Sequence, residues 1–110
     1  MEVHNIELAL KRAAGRADLA AELHQMLVKS SSEIKGLMEQ SWHSGDHESL
    51  LTHVHKLNGS TRYCGVPELE SCAEKLEILL KAGEKELGRG YQALIDAIER
   101  MIQQPIQFKG

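Results

Sequence analysis

This 110-residue chain has six histidines and two cysteines, whose ring nitrogens and thiols could attack an electrophile or hold a metal. A neutral imidazole carries a free ring nitrogen that attacks electrophiles without further activation. His53 and His55 stand about 200° apart on a helical wheel and cannot converge on one ion. His43 and His47 have the i, i+4 spacing that lets two rings share a metal, but Ser44-Gly45 breaks the helix between them. Cys64 and Cys72 lie across a loop and read as small core residues, and two cysteines make no disulfide framework. No metal site is expected, and His4, His24, His43, His47 and His53 read as solvated or boundary side chains.

His55 differs because of its neighbours. The segment runs His53-Val54-His55-Lys56-Leu57-Asn58-Gly59-Ser60-Thr61-Arg62-Tyr63-Cys64-Gly65. With Leu50 at zero on the wheel, Val54, Leu57 and Thr61 fall within about 40° and define the core direction. His55 falls near 140°, Gly59 near 180° and Arg62 near 120°, so all three face solvent. Asn58, near 80°, sits at the boundary, and Leu51, near 100°, lies between the core and His55. Glycine in a helix interior costs roughly 1 kcal/mol relative to alanine. Gly59 is neither a cap nor part of the buried stripe. It is either a tolerated defect or a clearance that lets another molecule close on the imidazole. Arg62 can also be read as a solvated helix-end charge favoured by the dipole.

The elements that must hold this segment are helical. Gly15, Gly45, Gly65 and Gly83 each follow an apolar helical pattern, where glycine supplies the left-handed turn that closes a helix. They divide the chain into five helices. The first spans about residues 5–14, with Ile6, Leu10 and Ala13 or Ala14 on one side. The second begins near Asp18 and repeats Leu19, Leu23, Met26, Leu27, Ile34, Leu37 and Met38 to about Ser41–Trp42. The third is capped by Asp46. The fourth takes Pro67 in its first turn and buries Leu69, Cys72, Ala73, Leu76, Leu79 and Leu80. The fifth runs from about Leu87 or Tyr91 to Gln103 with Leu94, Ile95, Ile98, Met101 and Ile102 inward, and Pro105 ends it. A frayed tail over 104–110 is expected. Short connections between long amphipathic helices make neighbours antiparallel. The expected architecture is all-α: one domain over 1–110, with an up-down four-helix bundle over about 17–103 and a short N-terminal helix across one end.

Composition narrows the function classes. A net charge of −3 with no basic block disfavours nucleic acid as a partner. No run of 18 apolar residues spans a membrane, and the N-terminus has no signal-peptide pattern. The cysteine usage fits a reduced, cytoplasmic setting. There is no glycine-rich nucleotide loop and no acidic cluster suited to magnesium.

The string His55-Lys56-Leu57-Asn58-Gly59, followed by Gly65, resembles the signature of histidine-containing phosphotransfer (HPt) domains. That signature is a histidine, an apolar residue two later, glycine at plus four and another glycine at plus ten. The stretch Arg62-Tyr63-Cys64-Gly65-Val66-Pro67, with Leu10 to Gly15 and Asp18-Leu19-Ala20 upstream, is similar to the C-terminal HPt module of BarA/GacS-type hybrid sensor kinases. The resemblance covers nearly the whole chain. Many members carry lysine at plus three, where its charge helps hold the phosphoryl group. Here that position is Asn58, which offers a hydrogen bond but no charge.

The resemblance implies that His55 takes a phosphoryl group from a receiver-domain aspartate and passes it to a response-regulator aspartate. Asn58, Gly59, Arg62 and Leu51 are the candidates for phosphoryl support and receiver docking. The resemblance implies no cofactor of the domain's own, magnesium being supplied by the receiver. It implies a phosphotransfer intermediate rather than a kinase, without ATP binding, yet part of a histidine kinase polypeptide. It further implies a monomer in the cytoplasm, as a module of an inner-membrane sensor kinase. The rival reading is a non-catalytic helical adaptor that docks a signalling partner through an exposed apolar edge near Leu51, with His55 incidental.

Overall fold

A computed structural model describes residues 1–104 and 106–108. Among them are five helices and no strand: α1 (Ile6–Arg12), α2 (Ala17–Ser44), α3 (His47–Thr61), α4 (Pro67–Lys81) and α5 (Gly88–Gln103). The all-α expectation holds. The four long helices close a ring in which α2 and α4 each pack on both α3 and α5. The 28 residues of α2 rise about 42 Å, which accounts for most of the 45 Å long axis. The expected role of Pro105, and the end of the tail at Lys109 and Gly110, lie outside the described residues.

Local chemistry explains the helix ends. Asn5 caps α1 by accepting the Leu8 N–H at 2.9 Å. Gly45 closes α2 at φ 70°, and Asp46 at once caps α3 by accepting the Ser49 N–H at 3.0 Å. A two-residue connection therefore reverses the chain and starts the helix that carries His55. Pro67 opens α4, where its missing N–H costs nothing.

The α3 stripe is buried as its spacing predicts, with Leu50, Val54, Leu57 and Thr61 fully inside. It meets Leu27, Ile34 and Met38 of α2, Leu69 and Leu76 of α4, and Leu94, Ile98 and Met101 of α5. The α2 stripe is narrower than predicted. Ala20, Leu27, Ser31, Ile34, Met38 and Ser41 are buried, whereas Met26 and Leu37 are exposed. Each of those two precedes a core residue by one position, about 100° around the helix. In α1 Ala9 is buried and Ile6 exposed, and Ala13, just past the helix end, is buried beside Ala9. Helix α2 ends at Ser44 rather than near Ser41–Trp42, and Trp42 stacks on Tyr91 of α5 at 4.2 Å. Cys72, Leu79 and Ile102 are half-buried at the edge of the core.

The N-terminal segment locks the junction between α3 and α4. Asn5 N–H donates to the Gly65 carbonyl at 2.8 Å, and Glu68 N–H donates to the Glu2 carbonyl at 2.9 Å. Arg12 binds the Thr61 and Cys64 carbonyls at 3.2 and 2.7 Å and pairs with Glu70 at 2.8 Å. Gly65 is not a left-handed helix terminator, unlike Gly15, Gly45 and Gly83. It is glycine for closeness: a Cβ there would lie 2.1 Å from the Asn5 carbonyl oxygen and 2.7 Å from the Ala9 nitrogen. The described part of the tail is tied down rather than frayed. His4 Nε2 donates to the Gln104 carbonyl at 2.9 Å, and the His24 ring packs edge-on against both His4 and Phe108.

Gly65→Ala should cost about 3 kcal/mol, because backbone rather than a flexible side chain blocks the new methyl. Gly36→Ala, on an exposed turn of α2 where nothing lies within 4 Å, should instead gain roughly 0.5–1 kcal/mol. Urea unfolding of both variants checks the contrast.

Candidate functional site

Helices α3 and α4 leave a shallow depression along their solvent side. His55, Asn58, Gly59 and Arg62 line it from α3, and Glu74, Glu77, Ile78 and Lys81 from α4. His55 is the reactive group with the freest access, its side chain 70% exposed.

The ring is nevertheless held. Glu77 of α4 is only 7% exposed, and its Oε2 lies 2.5 Å from His55 Nδ1. The same oxygen accepts from Lys81 Nζ at 2.9 Å. The other oxygen, Oε1, accepts from Asn58 Nδ2 at 2.7 Å. A carboxylate withdrawn from water is costly unless donors replace its hydration, and here three do. Burial pushes the Glu77 carboxyl up. The hydrogen bonds from Asn58, His55 and Lys81 more than offset this and bring it down to about 2.

The ionised state of Glu77 fixes the tautomer of His55. A carboxylate only accepts, so the ring proton sits on Nδ1. The lone pair of the neutral imidazole is then on Nε2, the nitrogen turned away from Glu77. The outcome is an oriented nucleophile facing solvent.

Asn58 is buried rather than at the boundary, and its amide serves Glu77. It reaches the imidazole through the carboxylate they share. Gly59 is exposed, and an added Cβ would meet nothing within 4 Å, so no internal contact requires glycine there. Arg62 caps the end of α3 and stands 3.8 Å from Glu70, which Arg12 already holds. Leu51 is half-buried against the core and does not line the depression. The exposed apolar groups nearby are others. Ile78 lies inside the depression, and Met26 and Tyr63 line a second groove that meets the first at Gly59. Cys64 is no competing nucleophile, since burial pushes its thiol up to about 11.

The sequence reading missed Glu77, Lys81 and Ile78. One signal for Glu77 was available: it falls about 40° from Ala73 on the α4 wheel, inside the apolar stripe.

The sequence profile of the Hpt domain family matches residues 22–105. The chain is an Hpt domain. Over 101 residues it is 35% identical to "Sensor histidine kinase GacS" of Pseudomonas protegens, a match covering 92% of this chain and 11% of that protein. It is 38% identical over 80 residues to "Signal transduction histidine-protein kinase BarA" of Escherichia coli K12, covering 73% of this chain and 9% of that protein. The Hpt domain thus spans about a tenth of the length of these curated relatives. It also superposes on the crystal structure of the HPT domain from a Shewanella Hpt sensor hybrid histidine kinase. That match has a TM-score of 0.86 and 27% identity, and covers 91% of this chain and 87% of the other. The resemblance carried by His55 to Gly65 is therefore one of homology, and the domain is a phosphotransfer module of the two-component phosphorelay class. No helix among the described residues is long and apolar enough to cross a membrane.

The depressed Glu77 pKa makes a pH prediction. Stability from the ionised carboxylate is fully present above the ordinary carboxylate range and is lost as pH falls towards about 2. Glu77→Gln should cost about 2 kcal/mol at neutral pH. The gap from wild type should close progressively as pH falls below about 5. Urea midpoints measured across that range test it.

Proposed function

We propose that this Hpt domain carries a phosphoryl group on His55, taking it from a receiver-domain aspartate and delivering it to a response-regulator aspartate. The observation that carries the reading is an exposed imidazole whose inner nitrogen is bound to a buried carboxylate. The Nε2 lone pair attacks phosphorus, and the aspartyl P–O bond breaks, its electron pair leaving with the carboxylate oxygen. The proton on Nδ1 stays on the ring, and Glu77 balances the positive charge that develops there. Return transfer is the same step reversed, with a second aspartate as the attacking group.

Phosphoryl transfer depends mainly on placement and charge stabilisation. The domain supplies the placed nucleophile. The receiver supplies the magnesium and the acidic pocket, so the domain needs no cofactor and no ATP site and is an intermediate rather than a kinase. Bare Gly59 gives that pocket room, and Ile78, Met26 and Tyr63 offer apolar contact on either side, where desolvation would slow hydrolysis of the transferred group. The relatives are sensor histidine kinases, and on this reading the domain would act as a monomeric cytoplasmic module of such a kinase.

His55→Gln should fold normally and take up no phosphate from a phosphorylated receiver, and uptake at the wild-type level would refute the assignment. On wild type the label should be acid-labile and alkali-stable; the adaptor reading expects no label at all. Gly59→Gln should be at least as stable as wild type yet accept phosphate more than tenfold more slowly from a receiver, as followed by phosphate-affinity electrophoresis.

A further inference from the structure

A phosphoryl group brings between one and two negative charges at neutral pH, and on His55 Nε2 it stands next to the negative Glu77. Helix α3 offers no cation to meet it. One turn before His55 stand Leu51 and Thr52, and one turn after it stand Asn58 and Gly59. The Asn58 amide is buried and spent on Glu77. Lys56 projects about 100° away around the helix. Arg62 lies two turns further along, about 10 Å by helical rise, and faces Glu70.

The cation comes from the neighbouring helix. Lys81 Nζ and His55 Nδ1 bond to the same oxygen of Glu77, at 2.9 and 2.5 Å. The ammonium can therefore be no further from the ring nitrogen than those two bonds laid end to end. Its side chain is 60% exposed, and it lines the same depression as His55.

We infer that Lys81 is the cation that binds the phosphoryl group on His55, exchanging Glu77 for the incoming phosphoryl oxygens. The inference rests on the phosphotransfer reading above. The exchange keeps charges matched. Before transfer, Glu77 holds the ammonium and the neutral ring. After transfer, Glu77 faces the charged ring through Nδ1–H while the ammonium faces the phosphoryl oxygens. No proton need leave the site. The arrangement also explains how a chain with Asn58 instead of a charged residue one turn after His55 can still neutralise the group.

The test uses two phosphodonors: phosphoramidate, which bypasses protein docking, and a phosphorylated receiver. Lys81→Ala should take up phosphate roughly tenfold more slowly from both, the loss of one charge-assisted hydrogen bond. Lys81→Arg should recover most of the rate, and with phosphoramidate, where docking plays no part, Arg62→Ala should stay within about twofold of wild type. Thermal melts should barely move for Lys81→Arg and Arg62→Ala, whereas Lys81→Ala takes a donor from the buried Glu77 carboxylate and should melt lower, so uptake is read well below its own melting range. Wild-type uptake by Lys81→Ala would overturn the inference. So would equal slowing in Lys81→Arg, which would point to packing rather than charge, or equal slowing in Arg62→Ala with phosphoramidate. Labelling of His55→Gln by either donor would instead overturn the phosphotransfer reading itself, so the two failures are distinct.

Discussion

A carboxylate placed among apolar side chains is the constraint on which the rest of this molecule turns. Glu77 occupies a position on α4 where leucine or alanine would serve the core better. Its ionised form is tolerable only because α3 and α4 bring three donors to its two oxygens. Each donor is thereby committed. Asn58 becomes a buried strut, Lys81 is drawn to the rim of the depression, and His55 is held in one tautomer. The stability of the site and the reactivity of the ring thus have one origin, since the bonds that make the buried charge bearable also aim the nucleophile.

Such an arrangement tolerates little error in the spacing of α3 and α4. Their packing fixes the middle of the pair through Leu57, Leu69 and Leu76. The connecting turn is fixed from outside by a segment distant in sequence. Arg12 gathers two carbonyls at the end of α3 and the Glu70 carboxylate at the start of α4, while Asn5 closes on Gly65. One guanidinium making several charge-assisted bonds is well suited to that clasp.

Much of this was legible in the sequence, because a helix that buries one stripe also declares its opposite face. Leu50, Val54, Leu57 and Thr61 oriented α3, and with it His55 and Gly59. The stripe of α2 was read too broadly. Met26 and Leu37 are apolar neighbours of true core positions, and nothing local separates a half-buried neighbour from a core residue. Gly65 was read as a left-handed terminator because a close backbone approach leaves no mark in the chain that makes it. Glu77 was passed over since carboxylates usually belong to solvent, although its place in the α4 stripe was visible. Lys81 and the burial of Asn58 were out of reach, for both follow from how two helices face each other.

The pinned ring also limits traffic. With Nδ1 bound to Glu77, one nitrogen alone is open, and it opens on one side of the bundle. On the proposed chemistry, whichever protein brings the phosphoryl group must vacate that side before the next can collect it. On that reading, donor and acceptor could not reach Nε2 at the same time. The exchange would then depend on how fast one partner leaves that face as well as on how fast the bond is exchanged.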